Sequence, residues 1–168
     1  MTDIVFSYGG TVDNYSGHGL TAYWGAPISY EDSAQRACNA GFEILKGVEE
    51  LNKSWEREFH LQPLRIGIGI TTGNAVVGNF GSEQRFNYTI MGDVVDFAFG
   101  VADRTLYSQI LITEETYLKV KDKFLVQALP QGISFKGKVD EIRLYEITER
   151  AEYIKHEKIE ATRWKAPE

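Results

Sequence analysis

LRIGIGITTGNAVVGNFGS, running from Leu64 to Ser82, and FNYTIMGDVVDFA, from Phe86 to Ala98, decide how this chain folds. Leu64 to Thr71 alternates isoleucine with glycine after Pro63, and Ala75 to Phe80 follows a Thr-Gly-Asn turn. The pattern predicts two strands paired with each other. Glycine at alternate strand positions predicts close approach of another backbone. Phe86 to Met91 predicts a further strand, leading through Gly92 into a helix over Val94 to Arg104 with Asp93 as its N-cap.

Upstream, Met1 to Tyr8 suits a helix, and Gly9-Gly10 supplies the stop that residues without a Cβ provide best. The chain thus reads as beginning partway through an element, which predicts a longer parent reading frame. Thr11 to Tyr15 and Leu20 to Trp24 flank Ser16-Gly17-His18-Gly19, a hairpin signal. Glu31, Asp32 and Ser33 then open a long helix. Ala34, Ala37, Cys38, Gly41, Ile44, Leu45, Val48, Leu51 and Trp55 step by three and four along it, a core-facing stripe, while Glu43, Lys46, Glu49 and Lys53 face solvent.

Downstream, Gln109 to Ile112 reads as a strand, Thr113 caps a helix, and Phe124 to Leu129 and Glu141 to Ile147 read as late strands. From Arg150 the composition turns to alternating charge. The expected division is a domain over residues 1–148 and a charged extension over 149–168. Strands and helices intermixed without repeats predict an α+β sandwich.

With 168 residues, 43% hydrophobic and 25% charged, the chain can bury one core. A net charge of −6 argues against nucleic acid and anionic lipid as partners. No apolar run reaches membrane-spanning length and no basic, apolar leader opens the chain, so a soluble, cytoplasmic domain without membrane insertion is expected. The lone Cys38 lies among apolar helical positions and reads as a small core residue in a reducing compartment. His60 and His156 have no neighbouring nucleophile or carboxylate arrangement for acyl transfer. Tyr23, Trp24, Phe80, Phe86 and Tyr88 read as core or dimer surface.

GGTVDNYSGHGLTAYWGAP from Gly9, the two stretches quoted first, and FKGK from Phe135 keep one order and spacing across residues 1–148. Together they resemble the class III adenylate and guanylate cyclases. The resemblance implies a ferredoxin-like βαββαβ core, here lacking its first strand, that dimerises head to tail with ATP or GTP between subunits. It implies a homodimer, or a heterodimer with another cyclase domain. It also implies two Mg²⁺ or Mn²⁺ ions held by two aspartates, because hard cations prefer carboxylate oxygen and paired ions stabilise both attacking and leaving oxygens.

At the second of those aspartates this chain has His18, and the other would lie upstream of Met1. Asp3 and Asp13 are nearby carboxylates for which solvated or capping roles are expected. The family asparagine and arginine, which orient the ribose and stabilise triphosphate charge, fall at Asp96 and Gly100. An amide has become an anion and a guanidinium fork is gone. Purine-selecting positions fall at Asn14 and Thr89. Lys136, or Lys138 if the register slips, matches a basic residue that meets the terminal phosphates. The resemblance therefore implies a catalytically impaired cyclase domain acting in dimerisation or regulation. Two alternatives stand beside it: a weak or conditional cyclase converting nucleoside triphosphate to cyclic monophosphate and pyrophosphate, and a nucleotide-binding sensor without turnover.

Overall fold

The structure is a computed structural model that describes residues 1–17, 19–82, 84–134 and 141–151. It opens with helix α1, Thr2–Ser7, and the Gly9-Gly10 stop closes it as read: Gly9 takes φ 72°, its N–H donates to Phe6 O, and Gly10 N–H donates to Val5 O, both at 2.9 Å. This doubled closure is the Schellman arrangement, which satisfies carbonyls that a helix end otherwise leaves unpaired. The hairpin of β1, Thr11–Ser16, and β2, Gly19–Tyr23, follows. It is fastened to α1 by a Thr2–Tyr15 hydroxyl pair at 2.6 Å and to the end of that helix by Trp24 Nε1 donating to Tyr8 O at 3.0 Å.

The long helix α2, Ser33–Phe59, buries Ala37, Cys38, Ala40, Gly41 and Val48. The stripe read from the sequence holds through Val48 and is interrupted at Leu51, which is 39% exposed, while Trp55 is half-buried. Glu43, expected in solvent, is half-buried.

β3, Gly67–Ile70, pairs in parallel with β6, Gln109–Thr113. β6 pairs antiparallel with β8, Leu144–Arg150, which in turn pairs with β7, Phe124–Ala128, giving the sheet order β3-β6-β8-β7. β4, Val76–Ser82, and β5, Arg85–Met91, form a separate hairpin. The expected pairing of Leu64–Thr71 with Ala75–Phe80 is therefore wrong: both segments are strands, but they belong to different sheets. Thr71 and Thr72 hold the crossing, the first donating to Val94 O at 2.8 Å and the second bonded to the Thr116 hydroxyl at 2.9 Å. A turn that leads away from its own strand cannot close a hairpin.

Helix α3, Asp93–Ala102, follows β5, and α4, Glu114–Val120, follows β6 from an N-cap at Thr113. Gly92, not Asp93, is the N-cap of α3. All five residues of β6 are buried, because alternate side chains enter different clusters. Ile110 and Ile112 pack with Cys38, Val120, Phe124 and Ile147, whereas Leu111 packs with Val101, Ile133 and Leu144. The glycines of β3 admit a close neighbour, as the alternation predicts. A Cβ on Gly69 would strike Ala102 N and lie 2.6 Å from Ala98 O, both backbone atoms of α3.

β8 runs through Arg150, past the boundary expected at residue 148. The Arg150 guanidinium reaches Glu43 at 2.9 Å and Asn39 O at 3.2 Å, and lies 5.4 Å from the Phe42 ring, which stacks on Phe124. Read as sequence, Arg150 looked like the start of a solvated extension. Its partners lie more than 100 positions upstream, beyond any local pattern.

Cys38 is fully buried, and burial pushes its thiol up to about 12 from an ordinary 9.0. The folded value lies above the unfolded one, so this contribution to stability is complete below pH 9.0 and is lost as pH climbs through about 12. A thiol reagent at pH 8 should accordingly label Cys38 only as fast as the domain opens. Rapid stoichiometric labelling under native conditions would contradict this burial.

Candidate active site

β1 carries a bulge: Val12 pairs with Ala22 and Asn14 with Thr21, leaving Asp13 as the extra residue. A bulge re-aims the side chain it inserts. Here it turns the half-buried Asp13 toward β5, where Oδ1 accepts from the Thr89 hydroxyl at 2.7 Å and from Ile90 N–H at 3.2 Å. That N–H lies on the edge of β5 away from β4, so the carboxylate both satisfies an edge donor and joins the two hairpins. The solvated or capping role expected for Asp13 is thereby corrected. Strict alternation along the strand could not locate it, because the bulge breaks the alternation.

This tie brings Thr89 close to the residue before Asn14; Asn14 and Thr89 are the two positions at which the resemblance places purine selection. Asn14 is exposed directly after Asp13, and Thr89 is half-buried. Below them Tyr23 is buried, and burial raises its phenol pKa, with Tyr88 and then Asp13 adding to the shift. Tyr23 is thus core, whereas Phe86 and Tyr88 are 64% and 51% exposed and belong to the surface alternative.

Asp96 and Gly100 stand four residues apart on α3 and so share one face of it. Asp96 is exposed and Gly100 half-buried. Ala98 and Ala102, which meet Gly69, fall on the opposite face. An exposed acid in the first turn is favourable to the helix. Beside a triphosphate it is the wrong sign, and Gly100 offers no side-chain donor.

His18 and Lys136 lie outside the described residues, as does Lys138. On either side of position 18 in the sequence, Ser16 pairs with Gly19 and Gly17 takes φ 56°. Among the described residues no three His, Cys, Asp or Glu side chains converge as a cation site. Nor does imidazole at position 18 suit a hard cation as a carboxylate would. Among the described residues the donor set does not fit two Mg²⁺ or Mn²⁺ ions.

Comparison with known proteins agrees with this architecture. The family described as "Adenylate and Guanylate cyclase catalytic domain" matches residues 16–149. Adenylate cyclase 1 of Rhizobium meliloti is 29% identical over 150 residues, covering 88% of this chain but 22% of its own length. The chain thus spans about a fifth of that relative. The crystal structure of the adenylyl cyclase CyaB from P. aeruginosa superposes with a TM-score of 0.83 at 31% identity, covering 88% of this chain and 76% of that one. A guanylyl cyclase crystal structure gives 0.80 at 32%, covering 90% and 76%. The paired hairpins, the glycine-backed helix and the extended family match carry one conclusion: this chain belongs to the adenylate and guanylate cyclase catalytic domain family, the class III cyclases.

Proposed function

We propose that this domain retains the class III architecture but is catalytically impaired, and acts by pairing with a second cyclase domain, its own copy or another. The observation that carries the reading is the outer face of α3. Asp96 and Gly100 occupy it where the family places an amide and a guanidinium. Losing one group aimed at developing charge costs about a hundred- to a thousandfold in rate. Pairing with an intact cyclase domain would give one composite site Asp96 and Gly100 and the other His18, so neither would be complete.

Val76, Phe86, Tyr88 and Met91, all at least half exposed on the β4-β5 hairpin, support pairing through that hairpin. A Phe86→Glu, Tyr88→Glu variant should shift the sedimentation of the purified chain from dimer to monomer while its circular dichroism stays unchanged. A chain already monomeric at high concentration, and unable to capture an active cyclase domain, would remove the pairing reading. The catalytic reading is tested by assaying cyclic nucleotide with Mn²⁺ and ATP or GTP. Product should not exceed the blank, and clear turnover would favour the weak or conditional cyclase instead.

A second reading, nucleotide held without turnover, is supported by the Asp13–Thr89 bond, which orders a purine-selecting position in a chain whose catalytic positions are substituted. Lys136 would serve the terminal phosphates in this reading.

A further inference from the structure

We propose that Asp13 is a specificity-determining positioning residue, which fixes the Thr89 hydroxyl as a hydrogen-bond acceptor and thereby biases the site toward a base carrying an amino group at purine C6. The inference rests on the nucleotide-holding reading and deepens it.

A threonine hydroxyl has one proton and two lone pairs, and an ionised carboxylate only accepts. Thr89 Oγ1 lies 2.7 Å from Asp13 Oδ1, so its single proton is committed to that bond. The bond is charge-assisted, the stronger kind. Ile90 N–H donates to the same oxygen at 3.2 Å, which holds the carboxylate in place and keeps an acceptor facing the strand edge. The bulge at Asp13 makes this geometry possible.

What Thr89 can offer a ligand is then lone pairs alone. An exocyclic amino group at C6 donates to them, whereas a carbonyl there sets acceptor against acceptor. Without Asp13 the hydroxyl could rotate and donate, and the discrimination would vanish. Asn14, directly after Asp13, is exposed.

The test is competition against a fluorescent ribose-labelled ATP by three unlabelled probes. These are ATP, inosine triphosphate with a carbonyl at C6, and purine riboside triphosphate with hydrogen there. The unmodified chain should prefer ATP over both by about five- to tenfold, the worth of one hydrogen bond. Asp13→Ala should bring ATP and inosine triphosphate to within about twofold of each other. Asp13→Asn should keep the preference, since its amide oxygen can accept from both Thr89 and Ile90. Thr89→Val, which leaves the Asp13–Ile90 bond intact, should lose it. A merely structural role for Asp13 would weaken all three probes alike and leave their ratios unchanged, overturning the proposal. Equal affinities in the unmodified chain would also overturn it while leaving nucleotide binding standing. If the labelled ATP itself does not bind, both the nucleotide-holding reading and this proposal fall.

Discussion

Carrying His18→Asp, Asp96→Asn and Gly100→Arg together, the chain should form cyclic nucleotide with Mn²⁺ at a rate at least about a hundredfold above the unmodified protein. The size follows from what is restored: a carboxylate for a hard cation, an amide, and a guanidinium fork aimed at the triphosphate. The variant should also fold. Position 96 is exposed, and exchanging its acid gives up at most about 1 kcal/mol of helix-terminus stabilisation. Replacing Gly100 inside α3 returns a similar amount through helix propensity. A melting curve alongside the assay separates a failed rescue from a failed fold. A well-folded variant with no gain would show that restoring these three positions is not sufficient for catalysis, and would overturn their assignment as the substitutions that limit it.

Gly69→Ala should destabilise the domain by about 3 kcal/mol, a single methyl group notwithstanding. The added carbon would meet Ala102 N, Ala98 O and Ala102 Cα, all of them main chain of α3. No rotamer change relieves a clash with backbone, so the helix must move off β3. For a domain of this size that corresponds to a fall in melting temperature of about 10 °C. Gly78→Ala on the neighbouring hairpin is the control, because a Cβ there has nothing within 4 Å. It should change stability by less than about 1 kcal/mol, in either direction. Similar midpoints for the two variants in denaturant, at unchanged slope, would remove the argument for backbone contact at Gly69.

Local signals in the sequence were enough to find the Gly9-Gly10 stop, the first hairpin, the opening of α2 and the glycine-backed strand. Each depends on residues within a few positions of one another. Partnership between strands was not legible, because it rests on distant partners: β3 pairs with β6, Gly69 meets the backbone of α3, and the hydroxyls of Thr71 and Thr72 bond to α3 and α4. Arg150 was misread for the same reason. At the site, Asp96 and Gly100 mean nothing as isolated residues and gain meaning only against the family pattern. Asp13 stayed hidden because one inserted residue reverses the face that counting by twos assigns to it.

The anchoring of α3 has an evolutionary consequence. Its inner face is seated by main chain against Gly69, while Asp96 and Gly100 look the other way. Folding therefore exerts little selection on the exposed position 96, and substitutions there can drift in or revert without crossing an unfolded intermediate. A lineage bearing this scaffold can lose catalysis, keep the domain for another use, and recover the chemistry later by point mutation.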